Sequence, residues 1–160
     1  MSGLMGTAIV PGRDMTLSGP SGGCVYEDID PDRRLVLAGA GTGLAPLWAI
    51  LNEALAQGHR GQITLYHGAL DRSGLYLVEA LEALQAERPG FSYRPCLRDA
   101  GGDLIEAVTA VEAGATDATY FLCGDAALVN RLKRELFLAG ARLDHIHADA
   151  FVPAQLKAAA

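Results

Sequence analysis

Aromatic side chains make up only 6% of this 160-residue chain, and cysteine occurs just three times, as Cys24, Cys96 and Cys123. Their odd number and wide spacing, with no Cys-x-x-Cys pair, speak against a disulfide framework and against a thiolate cage for zinc or an iron–sulfur cluster. Such usage fits a reducing compartment, and a cytoplasmic location is expected. Positive charge is also short, because 13 basic residues face 19 acidic ones for a net charge of -6. That balance is poorly suited to nucleic-acid phosphates or an anionic membrane surface, and neither partner is expected. No apolar run approaches the roughly 20 residues of a membrane span, and the amino terminus lacks the basic-then-apolar order of a signal peptide. Ser18 and Ser21 lie near glycines, but no Gly-x-Ser-x-Gly turn presents a hydrolase nucleophile. Small ligands and a protein partner are the classes left.

Half of the residues are apolar, enough for one domain with its own core. From about residue 33 short β-type apolar runs alternate with segments of helical period, the pattern of a parallel sheet covered on both faces. Strands are expected at Arg34–Ala38, Gln62–His67, Phe91–Leu97, Thr119–Cys123 and roughly His145–Ala148. Several are almost continuously apolar, as two-sided burial requires. Helices are expected at about Leu44–Gln57, Leu75–Glu87, Asp103 to near Gly114, and Ala126–Ala139. Asp103 and Glu106 have capping-box spacing. Arg131, Lys133 and Arg134 are expected toward the carboxyl end of the last helix, where cations suit the dipole. Residues 1–32 do not share this rhythm: Asp14–Ser18 reads as a strand and Gly19-Pro20-Ser21-Gly22-Gly23 as a turn. A boundary is expected near residue 32, with 33–160 as the main domain.

The most informative stretch is Leu35-Val-Leu-Ala-Gly39-Ala-Gly41-Thr42-Gly43-Leu-Ala45-Pro46, a buried strand running into glycines and then a helix. Free N–H groups and the dipole at such a helix start favour a phosphate. A side chain at Gly41 or Gly43 is expected to fill the volume that the phosphate needs. Pro46 suits the first helical turn, where its missing N–H costs nothing. The spacing differs from the usual dinucleotide fingerprint, since Leu44 stands where the third glycine belongs, and no Gly-Lys-Ser/Thr of a P-loop follows. No acidic residue ends the second strand, which reads Tyr66-His67-Gly68, and Asp71 is the nearest candidate to meet a ribose.

Taken in order, these segments resemble the ferredoxin reductase family, in particular the NADH-dependent reductases that feed electrons to oxygenases. Gly19-Pro20-Ser21-Gly22 resembles the turn closing that family's flavin domain. Ala38 to Pro46 resembles its pyrophosphate loop, which implies nucleotide contacts at Gly39, Gly41, Thr42, Gly43, Ala45 and Pro46. Tyr66-His67-Gly68 with Leu75-Tyr76 is similar to the adenosine-side segment, implying contacts at His67, Gly68, Asp71 and Arg72, with Leu97 at the end of the third strand. Tyr120-Phe-Leu-Cys123-Gly124 and His147-Ala-Asp149-Ala-Phe151 look like the nicotinamide-side motif and the segment facing the flavin. These imply catalytic roles for Cys123 and Phe151 and nucleotide contacts at Gly124 and Asp125. Two positions depart from the family pattern: Asp125 stands where proline is usual, and Leu70 where arginine is common.

The resemblance implies a five-stranded parallel sheet of order 3-2-1-4-5 with helices on both faces. It also implies hydride transfer from NAD(P)H, with NADH preferred, to FAD, and electron delivery to an iron–sulfur protein or oxygenase component. Residues 1–32 would be the carboxyl-terminal remnant of an FAD-binding domain, and the chain without that domain is expected to be inactive. Competing readings are a non-catalytic nucleotide-binding or interaction module and a free-standing Rossmann dehydrogenase. Cys123 at a strand end also reads as a small core residue, and Tyr66, Tyr120 and Phe121 as core aromatics. His145 and His147 would share a strand face, without a third ligand to complete a metal site. Phe151 is expected after the last strand, covering a ligand or a neighbouring domain.

Overall fold

The computed structural model describes residues 10–12, 14–16, 22–112 and 117–151. Five parallel strands, β1 (Arg34–Ala40), β2 (Ile63–Ala69), β3 (Phe91–Leu97), β4 (Ala118–Asp125) and β5 (Ile146–Phe151), form one sheet. Their order is β3-β2-β1-β4-β5, as expected. Four helices connect them: α1 (Leu44–Ala56), α2 (Val78–Glu87), α3 (Leu104–Glu112) and α4 (Ala126–Leu138).

Alternation along the strands sends side chains to opposite faces, and each face has its own helix pair. Leu35 and Leu37 of β1 join Leu47, Leu51 and Leu81 of α1 and α2 in one apolar cluster. Val36 and Ala38 join Val108, Val129 and Leu132 of α3 and α4 in the other. Each such leucine, fully removed from water, contributes roughly 1.5–3 kcal/mol. The chain first winds from β1 outward to β3, then crosses back to β4 and β5, so the connections leaving the neighbouring strands β1 and β4 run in opposite directions from their carboxyl ends. In open α/β sheets the crevice at that point is where ligands bind.

Most boundaries follow the sequence, and the differences have local causes. β1, β2 and β4 run two residues further than expected, with Gly39 opposite both His67 and Cys123 in the ladders. α2 starts at Val78 instead of Leu75, because a single 3-10 turn at Arg72–Gly74 precedes it and Leu77 takes a left-handed conformation, φ 58°. α3 begins as the capping pattern requires, Asp103 Oδ1 accepting from the N–H groups of Ile105 and Glu106 at 2.7 and 3.1 Å. Gly58, at φ 76°, ends α1, and the His59 N–H reaches back to the Ala54 carbonyl.

The stretch ahead of β1 is packed against this domain. Tyr26 belongs to the α1–α2 core cluster, and its hydroxyl meets His59 Nδ1 at 2.9 Å. The Pro31 carbonyl accepts from Arg60 and Gly61. Of the expected strand at 14–18, residues 14–16 lie in no strand and 17–18 fall outside the described residues, as do residues 19–21 of the glycine–proline turn.

Candidate active site

β1 ends in Ala40 and passes into a 3-10 turn, Gly41–Gly43, that leads directly into α1. Gly41 has φ 54° and open space where a Cβ would stand, so it turns the chain sharply and leaves room outside the loop. Gly43 has a different reason to be glycine. A Cβ there would overlap the Cys123 carbonyl, and one at Gly39 would lie 2.6 Å from that same oxygen. The expected phosphate clearance at Gly43 is therefore corrected: its side-chain volume is occupied by β4. Pro46 is the third residue of α1, within the turn whose N–H groups have no helical partner. The loop is braced from across the crevice by Tyr76, whose hydroxyl donates to the Gly41 carbonyl at 3.1 Å. Tyr76 also stands edge-on to the buried His67 ring.

Beside this loop a cleft of about 480 Å³ opens over the carboxyl ends of β1 to β4. Its walls carry Gly41, Gly68 and Asp125 from the residues singled out in the sequence, together with Leu70, Arg98 and Arg131. Asp71 and Arg72 sit in the turn between Leu70 and Gly74, both of which line the cleft, and Leu97 lies between lining residues Cys96 and Arg98. Thr42, on the loop, and Ala45, in the first turn of α1, are exposed. Gly124, at φ 148°, takes a backbone conformation that other residues rarely adopt.

Arg98 and Arg131 were missed as site residues. Both are exposed, and neither has an ion pair or side-chain hydrogen bond among the described residues. Arg131 was expected to serve the end of its helix, but it lies within α4, away from the last turn. Arg98 directly follows β3, and the rule that ligands gather at strand carboxyl ends points to it.

The carboxylates at this edge are tied to backbone. Asp125 caps α4, accepting from Ala127 and Leu128 N–H at 3.0 and 3.1 Å, so it starts the helix where the family pattern has proline. Asp71 Oδ1 accepts from the Ser73 N–H at 2.8 Å and the Ser73 hydroxyl at 2.5 Å, and those bonds hold its pKa below the ordinary carboxylate value. His67 is fully buried, and desolvation lowers its pKa to about 4, so the ring is neutral. Its Nδ1 lies 3.1 Å from the Tyr93 hydroxyl.

Cys123 is fully buried near the end of β4, and its sulfur lies 3.7 Å from that of Cys24. Phe151 is the last residue of β5, opposite Asp125 in the ladder, and half-buried. It was expected beyond the last strand, but β5 extends to it because β4 continues to Asp125. His145 and His147 do not share a strand face: His145 closes the turn before β5 and meets Arg33, while His147 stacks on Phe121.

The family described as the oxidoreductase NAD-binding domain matches residues 37–134. The reductase subunit of an aromatic O-demethylase from an Amycolatopsis species is 32% identical over 133 residues, 79% of this chain and 40% of that relative. The ferredoxin–NAD(P)+ reductase component of the Pseudomonas putida naphthalene 1,2-dioxygenase system is 33% identical over 152 residues, 89% of this chain and 45% of the relative. The chain thus spans less than half the length of these relatives. The crystal structure of an Amycolatopsis cytochrome P-450 reductase superposes with a TM-score of 0.76 at 28% identity, covering 84% of this chain and 43% of that one. A Neisseria gonorrhoeae ferredoxin NADP+ reductase shares the fold, with a TM-score of 0.66 at 18% identity over 81% of this chain and 61% of that one. With its 3-2-1-4-5 sheet and glycine loop, the chain belongs to the oxidoreductase NAD-binding domain family, the nucleotide-binding unit of ferredoxin-reductase-type oxidoreductases.

Proposed function

We propose that this chain binds NADH in a flavin-dependent reductase that hands electrons to an iron–sulfur or oxygenase component. In this reading FAD is held by a preceding domain, of which residues 1–32 are the closing stretch. The observation that carries the proposal is the cleft over the carboxyl ends of β1 to β4, bounded by the glycine loop and by two cations, Arg98 and Arg131, that have no ion pair among the described residues. These residues suit a dinucleotide. The pyrophosphate lies along Gly41 and Thr42 at the start of α1, where N–H groups and the helix dipole favour negative charge. Arg98 and Arg131 supply charge-assisted hydrogen bonds from the facing walls, and the adenosine lies toward Gly68, Asp71 and Arg72.

The nicotinamide would be held near Gly124, by the ends of β4 and β5 that carry Cys123 and Phe151. Bound there, it supplies a hydride, and the chain's own work is to bind, orient and shield it. Phe151, on the edge strand β5, would cover the flavin face that the nicotinamide approaches. The described residues ahead of β1 line no part of the cleft, and no step through FAD is assigned to them. Binding of a reduced nicotinamide nucleotide is consistent with these relatives, the reductase subunit of an aromatic O-demethylase and the ferredoxin–NAD(P)+ reductase component of a dioxygenase system.

Calorimetric titration of the purified chain with NADH tests the reading. Saturable one-to-one binding, competed by ADP-ribose and weakened in Arg98→Ala and Arg131→Ala, is expected. A folded chain that shows no heat of binding at millimolar NADH would overturn it.

A further inference from the structure

Two of the three cysteines meet at one point in the fold, although 99 positions separate them in sequence. Cys123 is fully buried at the carboxyl end of β4, and Cys24 is half-buried in the stretch that leads into β1. Their sulfurs are 3.7 Å apart. Cys96 belongs to the cluster on the opposite face of the sheet, so the pair is spatially distinct from the third thiol.

We propose that Cys24 and Cys123 are a reversible redox pair, a modification site at which a peroxide converts two thiols into a disulfide. This inference stands on the sulfur geometry and is independent of nucleotide binding. Closing the bond requires the sulfurs to approach from 3.7 Å to about 2.05 Å. Cys24 is the mobile partner in that approach, since it lies outside the sheet while Cys123 is fixed by ladder bonds to β1 and β5.

The two thiols are unequal, and their inequality assigns the roles. The hydrogen bond from Cys123 lowers the pKa of Cys24, whereas the same bond and burial push Cys123 up; Asp149 nearby opposes charge on both. Cys24 is also the more exposed of the two. Its thiolate attacks one oxygen of hydrogen peroxide, the O–O bond breaks, and hydroxide leaves to collect a proton as water. Cys24 is then a sulfenic acid. The Cys123 sulfur attacks that of Cys24, the S–S bond forms, the S–O bond breaks, and the departing hydroxide takes the Cys123 proton as a second water. In sum, two thiols and one hydrogen peroxide give one disulfide and two waters. A dithiol reductant reverses the step by exchange. The bond would clamp the stretch ahead of β1 onto the end of β4, beside the Gly39 and Gly43 contacts.

Treatment of the full chain with hydrogen peroxide, followed by alkylation without reduction and mass spectrometry, tests the proposal. The expected product is a monomer lighter by two hydrogens, with Cys96 as the single alkylated thiol and one peptide pair joined through Cys24 and Cys123. Dithiothreitol added after the peroxide and before alkylation should restore all three thiols. Cys96→Ser should form the same link and Cys24→Ser should not, both with unchanged circular dichroism. Three alkylated thiols, separate sulfinic acids at Cys24 and Cys123, a link through Cys96, or a disulfide joining two chains would each overturn it. Because the readout is the bond itself, failure here leaves the nucleotide titration unaffected.

Discussion

The Cys123 carbonyl occupies the space that a Cβ on Gly43 would need, so the start of α1 is seated on the end of β4 by a backbone contact. Gly43→Val is expected to unfold or severely weaken the domain, because the obstructing atom is backbone and cannot rotate away. Overpacking of this kind costs about 1–3 kcal/mol or more. Gly41→Ala faces open space but keeps a left-handed φ of 54°, at a cost of about 1–2 kcal/mol. Urea denaturation of the two variants should rank Gly43→Val as the less stable by a clear margin. Equal stabilities would show that α1 can shift off β4.

Arg98 and Arg131 line the cleft, and neither has an ion pair among the described residues. Each charge-assisted hydrogen bond to a phosphate contributes about 1.5–3 kcal/mol, so replacing either arginine by alanine should weaken NADH binding about 10- to 100-fold. Both side chains are exposed, and the melting temperature of the unliganded chain should stay within a degree or two. Affinity should also fall with added salt in the parent chain and fall less in the variants. Unchanged affinity in both variants would move the phosphates elsewhere on the sheet edge.

The sheet was legible because buried parallel strands write themselves as apolar runs such as Leu35-Val-Leu-Ala, and because helix ends carry local signals such as Asp103 and Gly58. The glycine loop was legible for the same reason, being a local break between two periodic segments. What stayed hidden depends on contacts between distant residues. Gly43 looks like a phosphate glycine until β4 is seen beneath it, and Cys24 looks isolated until Cys123 lies beside it. The start of α2 was misplaced because Leu77 adopts a left-handed conformation that its side chain does not advertise. Arg131 was read by its nearness to a helix end, whereas its role depends on which face of α4 looks into the cleft.

Asp71 keeps its charge at the lip of the cleft, held ionised by the bonds from Ser73. A 2′-phosphate placed beside it is repelled, and NADH should bind more tightly than NADPH. Asp71→Asn should narrow that difference chiefly by improving NADPH binding, although the turn loses part of its bonding to Ser73. Paired titrations with 5′-AMP and 2′,5′-ADP isolate the effect. Tighter binding of 2′,5′-ADP by the parent chain would assign the neighbouring Arg72 or Arg98 to the phosphate and reverse the preference.

Acid should destabilise the domain earlier than its carboxylates alone would cause, and His67 is the reason. Its ring is fully buried at the end of β2, and desolvation lowers its pKa from 6.5 to about 4. Between those values the unfolded chain holds a proton that the folded chain does not, so stability rises with pH across that window and is lost as pH falls from 6.5 toward 4. His59 and His147, whose pKa values are lowered chiefly by desolvation as well, act in the same direction. The salt-bridged Asp144, with its pKa lowered to about 2, loses its contribution only in stronger acid. The His67 effect amounts to no more than about 3 kcal/mol from the size of the shift. Denaturant titrations at a series of pH values from 7 to 4 should therefore show a falling free energy of unfolding. His67→Gln, which cannot titrate but retains hydrogen-bonding groups for Tyr93, should show a shallower fall whatever its stability at pH 7. A variant whose pH slope matches the parent's would place the proton uptake on the other histidines and leave His67 with a normal affinity for protons.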